Sequence, residues 1–379
     1  MDQSAELDGE TFGVTAGAMA EIEGAVGDAD QASESAHSAL EPREAVVRVV
    51  WFFVLVGAIA FAMNAAINAG LRRVQTSYFG AWNKVMQGQV NAAIVISGSS
   101  RAAYHYDPRT IQAVTGYSAY NLGRPGTQTD VQAAVLKAYL EHNRKPLLVI
   151  HNLDAFSFVS SREIFDPALY VPYLNDKEIY DPLSKIDPTL YKSKYIPLYG
   201  YVVSDMNLTW ITGLKALLGV SPREDYFLGF SPRDKVWTDD FEKYKTTNPH
   251  GVNFPVENQA VQALRGLILE CSKNQIPLLF VYSPEYGEMQ AMTNDRNAIF
   301  KEFHALGDQY HIPIWDYSDW KYDRDISYFY NSQHLNAQGA AAFSEDFALR
   351  LRSYLASGFK SNAELQAASV TNRLAGSRD

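Results

Sequence analysis

Ala92-Ala93-Ile94-Val95-Ile96-Ser97-Gly98-Ser99-Ser100-Arg101 is the stretch whose reading settles the architecture. A short apolar, β-branched run without polar alternation predicts a strand buried on both faces. The run breaks off in a Gly-Ser turn, so a side chain just beyond it stands at the strand's carboxyl end. Helical sequence follows to about Thr115, then a second short strand at Tyr117–Asn121 and the loop Leu122–Thr129. Asp130 can cap a helix over 131–142, where Val131, Val135, Leu136 and Tyr139 share one face. Lys145-Pro146 ends that helix, and Leu147–Ile150 forms a third strand running into His151-Asn152-Leu153-Asp154. The alternation resumes with helix 257–272, strand Pro277–Tyr282, helix 294–306, strand Ile312–Trp315 and a last helix from about Gly339 to Tyr354. Strands alternating with helices, without hairpin signals, predict an α/β fold: a doubly wound, parallel, five-stranded sheet in a three-layer α/β/α sandwich. Sites in such sheets lie at the carboxyl ends of the strands.

Residues 155–250 interrupt this pattern. They are dense in aromatics and prolines, with weak periodicity, and read as an insertion over the sheet's carboxyl edge. Upstream, the first 42 residues hold ten acidic side chains and no Lys or Arg, the composition of a disordered tail. The rest of the chain carries 33 acidic and 33 basic residues, so the formal charge of −10 belongs to the tail. A neutral body argues against a nucleic-acid partner, which would need a clustered basic face. Cys271 is the only cysteine, which rules out an internal disulfide and any cysteine-rich metal site; it reads as a buried helix thiol, and no metal or other cofactor is expected.

Ala45–Met63 reads AVVRVVWFFVLVGAIAFAM and stays apolar to about Leu71, close to the ~20 residues needed to cross a bilayer. A signal peptide would not normally follow so long an acidic tail. The segment is therefore read as a single transmembrane anchor. Arg43 and Arg48 precede it, and Arg72, Arg73 and Lys84 follow it, a slight bias towards a cytoplasmic body. The organisation expected is an acidic tail (1–44), an anchor (45–71), an amphipathic stalk (72–90), a catalytic domain (91–356) and a flexible tail (357–379).

Two segments carry the candidate chemistry. One is Gly98-Ser99-Ser100-Arg101, and the other is Ser332-Gln333-His334-Leu335-Asn336-Ala337-Gln338-Gly339, just before the last helix. A serine hydroxyl needs a neighbouring imidazole to take its proton, and backbone N–H groups at the turn can face a developing oxyanion. Together, at opposite ends of a parallel α/β domain, these segments resemble the SGNH (GDSL-like) hydrolase superfamily, whose fold is flavodoxin-like. The resemblance spans roughly residues 90–355 without the insertion. It implies Ser100 as nucleophile and His334 as general base. It further implies Gly126, in the loop Asn121-Leu122-Gly123-Arg124-Pro125-Gly126, and Asn152 as oxyanion donors. Arg101, flanking the nucleophile, and Arg124 are further candidates to contact the oxyanion or substrate, Arg124 by binding a substrate anion.

The sequence departs from the family at Asn331, where the superfamily has an Asp three residues before its histidine. Either the site is a Ser-His dyad or a nearby acid, Asp325 or Asp323, substitutes. Glu285 and Glu288, after the fourth strand, can contact substrate or a cation, or simply cap a helix. The chain is most similar to membrane-anchored SGNH-like proteins that acylate cell-envelope polymers, including the D-alanyl-transfer protein of teichoic acid modification. That likeness implies an extracytoplasmic body on the inner membrane, against the charge bias. The expected function is ester or acyl hydrolysis on an envelope glycan or a small ester. The alternatives are acyl transfer to an exopolysaccharide, with a multi-pass membrane acyltransferase as partner, and a catalytically dead scaffold. An α/β-hydrolase fold is excluded because no strands precede the one before Ser100.

Overall fold

The computed structural model describes residues 42–203, 209–222 and 226–357. The acidic tail up to residue 41 and the last 22 residues, both expected to be flexible, lie outside the described residues.

Five parallel strands form the central sheet: β1 (Ile94–Ser97), β2 (Ala119–Asn121), β3 (Leu148–Leu153), β4 (Leu278–Tyr282) and β5 (Ile314–Asp316). Their order is β2-β1-β3-β4-β5, the doubly wound arrangement that the alternating sequence predicts. The chain winds from β1 to β2 on one side and returns to β3 on the other. A crevice therefore opens beyond the carboxyl end of β1, where Ser100 begins the helix Ser100–His105.

Both faces of the sheet are buried. Val95, Val149 and Phe280 face the helices Thr129–His142, Asn258–Lys273 and Arg296–Tyr310. Ile94, Ile96, Ile150 and Val281 face the helices Pro108–Thr115 and Ala337–Ala356 through Ile111, Phe343 and Phe347. Successive strand residues point to opposite faces, so apolar runs rather than alternating patterns are what two covered faces demand.

Three readings need correction. Residues 72–90 are not a free stalk: Val74, Trp82 and Val85 are fully buried within the helix Ser77–Met86 and its approach, in the same core as Val95. The insertion lies only in part over the carboxyl edge. Its helix Lys177–Ile186 buries Ile179 and Leu183 in the core on the Thr129–His142 side, while Ser231 N–H donates to Ala103 O (3.2 Å) beside the Ser100 helix. Finally, a small antiparallel pair, β6 (Phe329–Asn331) and β7 (His334–Leu335), closes around Ser332-Gln333. Strands of three and two residues, joined by a turn without Asn-Gly or Asp-Gly, give too little pattern to be read.

Among the described residues, one helix is long and apolar enough to cross a membrane, Pro42–Leu71. The chain divides into two units after Ile59. In the N-terminal unit the helix leaves large apolar side chains uncovered: Trp51 and Phe53 are each 67% exposed. In the second unit the same helix is built into the domain. Ile67 and Leu71 are buried, Leu198 N–H donates to Asn64 Oδ1 (3.1 Å), and Asn83 Nδ2 donates to Leu71 O (2.7 Å). Gly70 lies against the backbone of Gly213, an approach that any side chain would block. A chain beginning at Arg72 should therefore lose the burial of two large aliphatic side chains, about 3–6 kcal/mol. A chain beginning at Ala60 should keep it. Thermal melting of the two checks this; equal melting points would mean that residues 60–71 add nothing to the domain.

Candidate active site

Gly98 follows β1 with φ of +144°, and a Cβ there would come within 2.9 Å of both Ala102 Cβ and Asn152 Cβ. Only glycine lets the chain turn this tightly from strand into helix. Ser99 caps that helix, its Oγ accepting from Arg101 N–H (3.2 Å). With Ser99 spent on the cap, Ser100 is the serine presented at the crevice.

Ser100 Oγ lies 2.7 Å from His334 Nε2, and His334 Nδ1 lies 2.9 Å from Asn331 Oδ1. The hairpin register sets the second contact, because Asn331 pairs with His334 across β6 and β7. Asn331 Oδ1 also accepts the backbone N–H groups of Gln333 (3.0 Å) and His334 (2.9 Å). Backbone donors can face only the oxygen of an amide, so the carbonyl end is turned towards the ring. The imidazole must then carry its proton on Nδ1 and leave Nε2 to accept from Ser100. Burial first, then the Arg101 and Arg233 guanidiniums, push the His334 pKa down to about 3. The ring is thus held neutral with Nε2 free to accept, and an imidazolium formed there has no carboxylate beside it.

The acids considered as substitutes are elsewhere. Asp325 is exposed and accepts from Ser327 N–H (3.0 Å) as a helix cap, while the Asp323 carboxylate lies beside Gly287. Neither is within hydrogen-bonding distance of His334, because the hairpin puts Asn331 on the ring and leads the 323–325 turn away from it.

Two expected oxyanion donors are also displaced. Asn152 is fully buried: its Nδ2 donates to Leu153 O (3.1 Å) and Asp154 Oδ1 (3.2 Å), and its Oδ1 accepts from the Tyr106 hydroxyl (2.7 Å). It holds the base of the crevice together instead of facing it. Gly126 is exposed, with φ of +70° and the Phe165 ring over it. The glycine packed on the Ser100 helix is Gly123, against the backbone of Ala102 and Ala103, and its N–H already donates to Asn121 Oδ1 (2.8 Å).

Arg101 points inward. It pairs with Asp154 (3.4 Å), donates to Ser283 O and stacks on the Tyr282 ring at 4.4 Å. Burial raises the Asp154 pKa to about 6 against the pull of Arg101. Glu285 belongs to the same buried cluster, accepting from the Tyr282 hydroxyl (2.7 Å), whereas Glu288 pairs at the surface with Lys245 (3.0 Å). Arg124 is buried and stacks on Trp82 at 4.8 Å. Among the described residues, no group of three or more His, Cys, Asp or Glu could hold a metal.

Four neighbours of the histidine escaped the sequence reading. Tyr330 stacks on His334 at 5.3 Å, Tyr104 meets it edge-on at 5.6 Å, and the Arg233 guanidinium lies over Tyr104 at 4.1 Å. His105 Nε2 accepts from Leu335 N–H (3.1 Å) and its Nδ1 faces Ser283 Oγ (3.0 Å), so it pins the backbone beside the catalytic candidate. Burial holds the His105 pKa well below its usual range, which suits that neutral role. His105 was visible only as the sixth residue of an unremarked helix.

No family model and no curated protein matches the chain. Among solved structures, it is similar to a protein provisionally described as a platelet activating factor from Streptococcus pneumoniae, at 11% identity and a TM-score of 0.35, covering 80% of this chain and 99% of that one. It is also similar to a protein provisionally described as an acylhydrolase from Bacteroides fragilis, at 11% identity and a TM-score of 0.32, covering 69% of this chain and 86% of that one. At these values the likeness bears on neither activity nor substrate.

Proposed function

We propose that this chain is a serine-nucleophile hydrolase of the SGNH type, acting on ester-linked acyl groups. The observation that carries the reading is the run Ser100 Oγ–His334 Nε2–His334 Nδ1–Asn331 Oδ1, at 2.7 and 2.9 Å. Ser100 Oγ attacks the acyl carbonyl while His334 Nε2 takes its proton. The negative charge on the tetrahedral oxygen faces the start of the helix Ser100–His105, where the Ser100 N–H precedes the first helical hydrogen bond while the Arg101 and Ala103 N–H groups are held by Ser99. Collapse expels the alcohol, which leaves with the proton from His334. Water then attacks the acyl-serine by the same route, releasing the carboxylic acid and restoring Ser100.

The apolar helix Pro42–Leu71 supports membrane anchoring, and the substrate proposed for the anchored enzyme is an acylated glycan of the cell envelope. A second reading shares this anchor: a sugar hydroxyl replaces that water, and a multi-pass membrane acyltransferase is the partner.

The test is covalent labelling. A fluorophosphonate should modify the purified full chain once, on the peptide carrying Ser100, and prior boiling should abolish the label. Labelling on Ser99, or none at all, would overturn the assignment.

A further inference from the structure

One tyrosine away from the dyad lies a cavity of about 240 Å³ that the mechanism above does not use. Tyr104, which meets the His334 ring edge-on, is one wall, and Phe165 and Tyr170 are others. Two guanidiniums line it, Arg124 and Arg233. Arg124 is only 6% exposed, yet its buried Nε has no hydrogen-bond partner. A buried donor left unsatisfied on a cavity wall calls for an explanation, and a bound acceptor supplies one. Asp166 also lines the cavity, with Oδ1 buried and unpartnered. Burial raises its pKa, opposed by Tyr78 and Arg124. Two guanidiniums against one carboxylate leave a single excess positive charge.

We infer that this cavity binds a carboxylated sugar residue, a hexuronate, of the glycan whose acyl group Ser100 attacks. The guanidinium fork of Arg124 matches a carboxylate in two parallel hydrogen bonds, and Arg233 supplies the second cation. Asp166 accepts from ring hydroxyls, a role with no use for a phosphate dianion. The volume lies just under the ~300–1,000 Å³ range of drug-sized sites and suits one sugar ring between aromatic walls. Only the link to catalysis rests on the hydrolase reading; the binding does not.

The experiment uses the full chain in detergent carrying Ser100→Ala, so that no turnover intervenes. Calorimetric titration with tetragalacturonate should show binding, with at least ten-fold weaker affinity for maltotetraose and for the fully methyl-esterified tetragalacturonate. Arg124→Gln should weaken tetragalacturonate binding at least ten-fold, and Arg124→Lys should restore part of it. Esterification acts on the ligand, so the comparison stands even if an arginine variant misfolds. Equal binding of free and esterified oligomers would overturn the inference, as would binding of inorganic phosphate alone or of none of these probes. The hydrolase reading fails separately, if p-nitrophenyl acetate turnover survives in Ser100→Ala while tetragalacturonate binding stands.

Discussion

Replacing Ser100 by alanine is expected to lower kcat/KM for p-nitrophenyl acetate by at least ~10³, to the level set by binding and oxyanion contacts alone. In the proposed mechanism Ser100 and His334, 2.7 Å apart, act as one unit, so His334→Ala should cost as much, and the double variant no more than either. Removing the serine leaves nothing for the imidazole to activate, and removing the imidazole leaves a hydroxyl with no proton acceptor. Ser99→Ala is the contrast. It deletes the Oγ that accepts from Arg101 N–H, so it should cost about 1 kcal/mol of stability while most turnover persists. Steady-state kinetics of the four proteins decide the matter. Additive losses, or activity above a tenth of the parent in Ser100→Ala, would remove Ser100 from the chemistry.

Asn331→Asp should raise kcat/KM, by about ten-fold or more. In a Ser-His-Asp protease the reverse exchange costs ~10⁴, largely because the amide imposes the wrong tautomer. Here two backbone N–H groups hold the amide oxygen towards Nδ1, so the tautomer is already right. What is missing is a negative charge beside the imidazolium that forms during attack. A carboxylate at this position favours the charged ring and raises the His334 pKa from about 3. The sign follows for the pH profile. The parent should stay active well below pH 6.5, because its ring resists protonation. In Asn331→Asp the acid limb should move to higher pH, with faster turnover above it. Asn331→Ala removes an acceptor from the ring and from two backbone donors, and should cost about ten-fold or more. kcat/KM against pH for the three proteins tests this. An unshifted acid limb in Asn331→Asp would mean that residue 331 does not govern the ring.

The buried pair Arg101–Asp154 explains how a charged residue can follow Ser100 without facing the crevice. Its partners Tyr282 and Ser283 belong to β4 and the residue after it, distant in sequence but adjacent at the carboxyl edge. Reading Arg101 as a substrate contact was reasonable from its place in the chain alone. A side chain on the first turn of a helix points either into the crevice or under it, and packing chooses between them.

The sequence by itself determined the strand–helix alternation, the parallel three-layer sheet and the serine at the end of β1. Those features are written in local periodicity, caps and turns, which act over a few residues. The apolar run of the first helix was legible for the same reason, as was the neutral body behind the acidic tail. Only the tertiary structure decided what joins Ser100 to a residue 234 positions away. It also put Asn331 on the histidine, turned Asn152 into the base of the crevice and drew residues 64–90 into the core. Each of these depends on strand order, hairpin register or the burial of one surface by another. No local pattern encodes such contacts, because the free energy that selects them arises only when distant segments exclude water together.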